Sequence, residues 1–580
     1  MGPECIQSIP RTKLGEGLMD EAVSTTLEQL LNNTQLFLSY YNNKQKWTAL
    51  YPMASKLAEQ YRVLYAEQPF ALQARLTLYN PSYSYATNLV ISQSVITAAL
   101  CKSQNYNNAL SELYIAAALI EHLCVGAQLN KLCEQTPFQD YDKKIWQMRH
   151  QLAAKVMSAG GNSARPVTQL LAKLSKYKQA LVSAPKIMLY DGGITLIALA
   201  NIISMNITSN TANKHISLFK ALTDLYIRTP NVFALQLIKS LMAHLGPLLP
   251  GSRVLYAEQT MIYLATDAQQ RHVLISTANA NKLAWYRVKA TLNDSPKQWH
   301  CTDKTISFKV FNSEHVKFKS TIDVDKAHSL LELISNIKLQ HEYSYKGLSR
   351  LLAAHPHVIA NLCEAVKPYN KEHQAARDLK HSLSMVGYYN APAIIQRVVF
   401  EELVNVTPHP LQVYVANRLN GFVKIMALLM SKNNRDQFEH ITLPLYAYAH
   451  FLLTQCSTQL SRKTLIDDTP NKALSAPICS FFGVDSINSE QLTQQLTHLL
   501  SDNPWTAALL EAEQTPKKQL TDSHKLWITL KIVAQNVFKP GLSLTPWQQQ
   551  TLNEQLKILK WHNPADFYQN LESLELFDSI

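Results

Sequence analysis

Glu121 and His122 stand side by side near the end of an apolar run, Ala118-Leu119-Ile120-Glu121-His122-Leu123, and His150 follows further along. Imidazole and carboxylate are the donors that divalent cations take, and paired cations about 3.5–4 Å apart activate water against a phosphodiester. Such a centre needs several donors converging, and even one catalytic ion wants about three protein ligands plus an open position. Glu121, His122 and His150 are the trio this chain could offer to a single ion, and Asn88 upstream and Asn201 downstream are polar residues within apolar stretches. Asn replaces neither donor well, and nowhere does His directly precede Asp. The expectation is a residual polar site with no metal, no catalytic residue and no cofactor, and with Glu121 and His122 at the rim of their helix.

Other chemistry lacks its positioning devices. The chain has no G-x-S-x-G elbow, no G-x-x-x-x-G-K-[ST] loop and no G-x-G-x-x-G turn, so acyl transfer, P-loop hydrolysis and dinucleotide chemistry are not expected. Only 15 glycines occur, which suits long helices better than phosphate-cradling loops. His355, His357, His373 and His381 form no recognised ligand spacing, because H-P-H sets its two imidazoles at i and i+2. The eight cysteines make no C-x-x-C pair and read as small buried hydrophobes of a reducing compartment.

The elements that must position these residues are helices. With 580 residues, 47% hydrophobic, the chain exceeds what one core organises and implies two large units. From Glu16 to about His244 apolar residues recur at helical spacing. One helix over Ala86–Val95 carries Asn88, Ile91 and Val95 on a shared face. A second, over Asn107–Gln128, buries Leu110, Leu113, Ala117, Ile120 and Cys124, and a third over Ile145–Val156 carries His150. Arg253–Tyr256, Met261–Leu264 and His272–Ser276 read as an antiparallel meander, extended by Ala284–Val288 and Ile306–Val310. Asn312–Asp325 then links to a second helical unit that begins at Ala327 and is broken at Thr407–Pro410, Asp467–Pro477 and Phe538–Pro546. No apolar run reaches the roughly 18 residues of a spanning helix, and Ile194–Met205, the nearest candidate, reads as a buried helix. The N-terminus carries no apolar run of signal-peptide length, so the expected location is cytoplasmic.

The net charge of +12 is scattered. Lys309, Lys317 and Lys319 alternate with Phe308, Phe311 and Phe318, but no run of five basic residues occurs, so a nucleic-acid partner is not expected.

In the order of these pieces the first half resembles the HD-GYP family of bacterial cyclic-di-GMP phosphodiesterases. Its best local match is Leu245-Gly246-Pro247-Leu248-Leu249-Pro250-Gly251-Ser252-Arg253-Val254-Leu255, which looks like that family's closing loop and first strand. The family holds its metals with a His on one helix, a His-Asp pair on the next and further His residues downstream. The matching positions here read Asn88, Glu121 and His122, while His150 survives. Asn201 stands where an Asp is expected, Leu171–Ala184 holds no His, and no Gly-Tyr-Pro occurs.

Leu351–Leu362 runs a His-Pro step into an apolar helix, and Asp378–Gly387 keeps Leu379, Leu383 and Val386 at helical spacing, with Gly387 as a helix stop. This region resembles the HDOD domain, a bacterial signalling module related to the HD fold without its metal ligands. Its usual acidic residue before the Pro is His355, and Ala365-Val366-Lys367 replaces the Asn that usually ends the next helix. The resemblances imply a mainly α chain of two HD-superfamily-like domains with a small antiparallel β meander between them: residues 1–250 a degenerate HD-GYP-like domain, 251–325 a β-rich extension and linker, and 326–580 an HDOD-like domain. The function expected is non-catalytic signal transduction or scaffolding through protein partners in a signalling pathway, with no membrane partner. The alternatives are a cyclic-di-GMP phosphodiesterase with an atypical ligand set, or a cyclic-dinucleotide sensor without hydrolysis.

Overall fold

The computed structural model describes residues 18–183, 192–208, 216–300 and 324–576. Residues 230, 247, 257–258, 267–270, 277–283, 289–291 and 296–298 are excepted in the third stretch, and 340–343, 371, 433–436, 467–476, 501–502, 562 and 575 in the fourth. The expected strand Ile306–Val310, the linker up to residue 323, the Lys309/Lys317/Lys319 group and the break at 467–476 lie outside the described residues. Contacts divide the chain into two compact units, Gly2–Ile322 and Asp323–Ile580.

The first unit holds α1 (Leu18–Tyr40), α2 (Trp47–Glu67), α3 (Pro69–Gln73), α4 (Tyr85–Ser103), α5 (Asn108–Glu121), α6 (Gly126–Cys133), α7 (Asp140–Met157), α8 (Arg165–Ser183), α9 (Gly192–Ile207), α10 (Leu218–Arg228) and α11 (Val232–Leu245). Every residue of α4 from Ala86 to Cys101 is buried, and α9 is nearly so from Gly193 to Ile207. Helices apolar on all sides must lie inside, with amphipathic neighbours around them. Accordingly α4 packs on α5 and α9, and α8 covers α7, α9 and α5. The stretch singled out as a buried helix is this core α9, and among the described residues no helix is long and apolar enough to cross a membrane.

Side-chain caps fix where these helices start: Ser84 Oγ accepts from Thr87 N (3.1 Å) and Asn107 Oδ1 from Leu110 N (2.9 Å). Gly193 lets α9 approach α5, since a Cβ there would fall 2.4 Å from Tyr114 Cε1. The expectation for this segment fails in two ways. The helix read over Asn107–Gln128 ends at Glu121, with α6 starting at Gly126. Leu110 is 37% exposed and Leu113 only half-buried, because the continuously buried part of α5 runs from Ile115 to Glu121. Asp142, near the start of α7, accepts from Lys131 Nζ (2.6 Å) and Gln128 Nε2 (3.1 Å) of α6. Lys131 chiefly holds the Asp142 carboxyl below its usual range.

Strands β1 (Leu78–Tyr79), β2 (Arg253–Tyr256), β3 (Gln259–Thr266), β4 (His272–Ser276), β5 (Ala284–Val288), β6 (Asn293–Ser295) and β7 (Trp299–His300) complete the unit. β1 pairs with β7 in parallel, and the rest form an antiparallel sheet in the order β5-β4-β3-β2-β6. The expected meander is present, with Ala284–Val288 as its fourth strand. A feature absent from the sequence reading is β6, which returns to pair with β2, Arg253 opposite Ser295. β5 and β6 are therefore opposite edges, yet only residues 289–292 separate them in the chain. Five residue steps reach roughly 18 Å, while four strand spacings across a flat sheet span roughly 19 Å. The sheet must curl, and the register shift between Tyr263 and Ala265 supplies local bending. Val254, Met261, Tyr263, Leu274 and Val288 form the sheet's apolar cluster.

The second unit contains α12 (Val324–Lys338), α13 (Tyr345–Leu352), α14 (Pro356–Ala365), α15 (Leu379–Val406), α16 (Gln412–Leu429), α17 (Phe438–Gln455), α18 (Arg462–Ile466), α19 (Ile478–Phe481), α20 (Ser489–Leu500), α21 (Pro504–Glu511), α22 (Asp522–Phe538), α23 (Pro546–Ile558) and α24 (Pro564–Glu572). Pro356 opens α14 as expected, and Pro504, Pro546 and Pro564 open others in the same way. α17, buried from Ile441 to Leu453, packs on α15 and α16. An aromatic cluster of Phe422 with Phe481, Phe482 and Phe538 fills the space between α16, α19 and α22. Gly387 does interrupt its helix, at φ 75° and ψ 155°, but the chain re-enters helix at once, so α15 is two helices joined at a break.

Candidate functional site

Four helices of the first unit bring their polar side chains into its interior. α4 contributes Gln93, α5 ends on Glu121 with His122 as its cap, α7 carries Trp146, Arg149 and His150, and α9 carries Asn201. Gln93, Glu121 and Asn201 are 0% exposed, and His122 and His150 are 1% exposed. The expected rim position of Glu121 and His122 is therefore corrected. The last turn of α5 runs under α7 and α9 rather than out to the surface.

Glu121 is the hub. Its Oε2 accepts from Gln93 Nε2 (2.6 Å), and its Oε1 accepts from His150 Nε2 (2.8 Å). The Arg149 guanidinium stands 4.0 Å from the same Oε1. It also donates to the Trp146 carbonyl (2.7 Å) and lies over the Trp146 ring at 4.6 Å. Burial draws the Arg149 pKa down and the Glu121 charge opposes that shift, so one guanidinium and one carboxylate balance inside the protein. A buried charge without such a partner would cost several kcal/mol.

His122 belongs to a second contact. The Asn201 amide donates to its Nε2 (2.6 Å), and its ring stacks on Trp146 with centroids 6.2 Å apart. Trp146 thus links the His122–Asn201 pair to Arg149 and Glu121. The structure does not gather Glu121, His122 and His150 as three donors facing one point. Glu121 and His150 bond each other, while His122 turns to Asn201. Among the described residues no group of three or more His, Cys, Asp and Glu could hold a metal ion.

Asn88 is not part of this centre. Its amide donates to the carbonyls of Asn80 (2.9 Å), Ser84 (3.1 Å) and Tyr83 (3.3 Å), and its Oδ1 accepts from Asn80 N (3.1 Å). It closes the turn that leads into α4. Residues that the sequence reading missed are Gln93, Trp146 and Arg149. The available signal was a glutamine amid Val90, Ile91, Val95 and Ile96, and an arginine directly before His150.

The second unit carries its own buried pair. Arg397 Nε of α15 lies 2.5 Å from Glu439 Oε2 of α17, and Tyr369 donates to Glu439 Oε1 (2.8 Å). Of the four histidines weighed as a cluster, His355 and His357 are neighbours with ring centroids 6.1 Å apart. His357 Nε2 is 3.8 Å from Glu402 Oε1. His381 Nδ1 instead accepts from Arg377 N (3.2 Å), closing the turn before α15.

Set against protein-family models, curated proteins and solved structures, the chain matches none.

Proposed function

We propose that this protein works by contact with other proteins, as a non-catalytic signalling or scaffolding chain, and that its two units are HD-GYP-like and HDOD-like helical domains. The observation that supports the non-catalytic reading is the occupation of both Glu121 oxygens by N–H donors in a centre closed to water. A carboxylate that activates or carries metal-bound water needs lone pairs facing a cavity that a substrate can enter. Here the lone pairs face Gln93 and His150, so the residues best suited to chemistry serve instead to join α4, α5 and α7. A reducing cytoplasmic setting accompanies this reading, in keeping with the unpaired thiols of Cys101, Cys124, Cys456 and Cys479 in the apolar interior.

The test offers the purified chain manganese or ferrous ions and cyclic-di-GMP. The expected result is no stoichiometric metal after desalting and no hydrolysis. Metal-dependent hydrolysis that disappears in both Glu121→Ala and His150→Ala would overturn the reading, and calorimetric binding of the dinucleotide without turnover would replace it by a sensor.

A further inference from the structure

The charge of this chain is not evenly shared. Residues 1–322 hold 32 Lys and Arg against 19 Asp and Glu, whereas residues 323–580 hold 23 against 24. The whole positive excess therefore belongs to the first unit. Within it, one stretch is extreme: between Asp142 and Asp191 the chain has nine Lys and Arg and no carboxylate. In sequence these cations are spread thinly, so no basic run appears. In the fold eight of them belong to α7 and α8, two helices that pack closely on each other, and Lys186 lies outside the described residues.

On α7, Tyr141, Lys144, Met148, Gln151 and Lys155 follow one another at helical spacing and are all exposed, Tyr141 at 72% and Met148 at 38%. On α8, Arg165, Gln169 and Lys173 form a second exposed line, and the helix continues with Lys176 and Lys178. Lys143, also on α7, has a carboxylate partner in Asp140 and Arg149 is turned inward to Glu121. Lys144, Lys155, Arg165 and Lys173 have no ion-pair partner among the described residues.

We propose that the exposed side of the α7–α8 pair binds single-stranded nucleic acid through its phosphate backbone. The spacing calls for an extended anion: Lys144 and Lys155 are separated by roughly 16 Å along their helix and Arg165 and Lys173 by roughly 12 Å, too far for one phosphate to satisfy either pair. Tyr141 adds an exposed ring of the kind on which an unpaired base stacks. An anionic membrane fits less well, because insertion needs a free apolar face. α8 spends its own on the core through Val167, Leu171 and Leu174, and α7 does so through Ala153, Val156 and Met157. The proposal stands apart from the reading of the Glu121 centre.

The test measures fluorescence anisotropy of a labelled oligodeoxythymidylate with the full-length chain over a range of salt. Binding should weaken as salt rises. Lys144→Glu/Lys155→Glu/Lys173→Glu should raise Kd by at least about tenfold and flatten the log–log salt slope by about 2, from three lost phosphate contacts. Lys44→Glu/Lys56→Glu/Lys220→Glu makes the same change in net charge at exposed sites elsewhere and should bind far more tightly than that variant. Equal weakening in the two triple variants would overturn the site. So would a wild-type chain that ignores the oligonucleotide at low salt, or one held by phosphatidylserine vesicles that the oligonucleotide does not displace. If charge reversal costs the variant its helical circular dichroism, the Lys→Gln version of the same three positions carries the comparison.

Discussion

His150 Nε2 donates to Glu121 Oε1 across 2.8 Å in an interior from which water is excluded. The same two residue types that would share a cation in a phosphohydrolase are here bonded to each other, and Gln93 takes the remaining carboxylate oxygen. In a low-dielectric interior each such bond is stronger than in water, and each unpaired member is correspondingly costly. The centre therefore acts as a joint between helices.

Removing the hub should expose that cost. Glu121→Ala leaves the Arg149 charge buried without its carboxylate and should destabilise the first unit by about 3–5 kcal/mol. Glu121→Gln keeps the shape, loses the charge and should cost less. Urea denaturation followed by circular dichroism reads both; a Glu121→Ala chain as stable as wild type would show that the centre does not hold the helices.

A parallel expectation applies to Arg397 and Glu439. The pair joins α15 to α17 with Arg397 14% and Glu439 5% exposed at the side chain. Burial pulls the Arg397 pKa down, but the Glu439 and Glu401 carboxylates and Tyr446 hold it above the ordinary value. Glu439→Gln should lower the stability of the second unit by about 3 kcal/mol. Arg397→Met in the same background should recover part of that loss, because it removes the stranded charge. Thermal denaturation of the single and double variants checks the ordering.

His450 gives the second unit an acid sensitivity. Its ring is 3% exposed and lies near Phe400, and burial lowers its pKa from 6.5 to about 4. Between those values the unfolded chain binds a proton that the folded chain refuses, so stability rises with pH across the window. The contribution is complete above pH 6.5, is lost on acidification toward 4, and amounts to about 3 kcal/mol. His450→Leu should flatten the pH dependence of stability between pH 4 and 6.5, and an unchanged slope would place the titration elsewhere.

Much of the fold was legible in the sequence because periodicity is local. The helices around Asn88, Glu121 and His150, the meander from Arg253 and the Pro356 helix start all follow from residues within a few turns of one another. What escaped depends on long-range contacts. Glu121 was expected at a rim because one helix cannot show that α7 and α9 will cover its end. Gln93 and Arg149 gain meaning only when α4 and α7 meet at Glu121, and β6 only when residues 293–295 return to β2. The α7–α8 cations look dispersed along the chain, and that they lie on two helices packed on each other shows only in the fold.

Gly387 offers a test of backbone strain without steric conflict. At φ 75° and ψ 155° it occupies a region that is nearly closed to other residues, yet a Cβ there would meet nothing within 4 Å. Gly387→Ala should therefore cost about 1–3 kcal/mol through conformation alone. That corresponds to a fall in the melting temperature of about 2–4 °C for each kcal/mol. Gly421→Ala is the contrasting case. Its backbone is helical, but the added Cβ would lie 2.5 Å from Phe538 Cζ, so the penalty there comes from pushing α16 and α22 apart. Phe538→Leu should relieve the Gly421→Ala defect and leave the Gly387→Ala defect untouched. If instead α15 straightened through the alanine, helical circular dichroism would rise while Leu379, Leu383 and Val386 lost their buried positions. The variant would then melt over a broader range, and the break at Gly387 would be a choice imposed by glycine rather than by the packing of the helices around it.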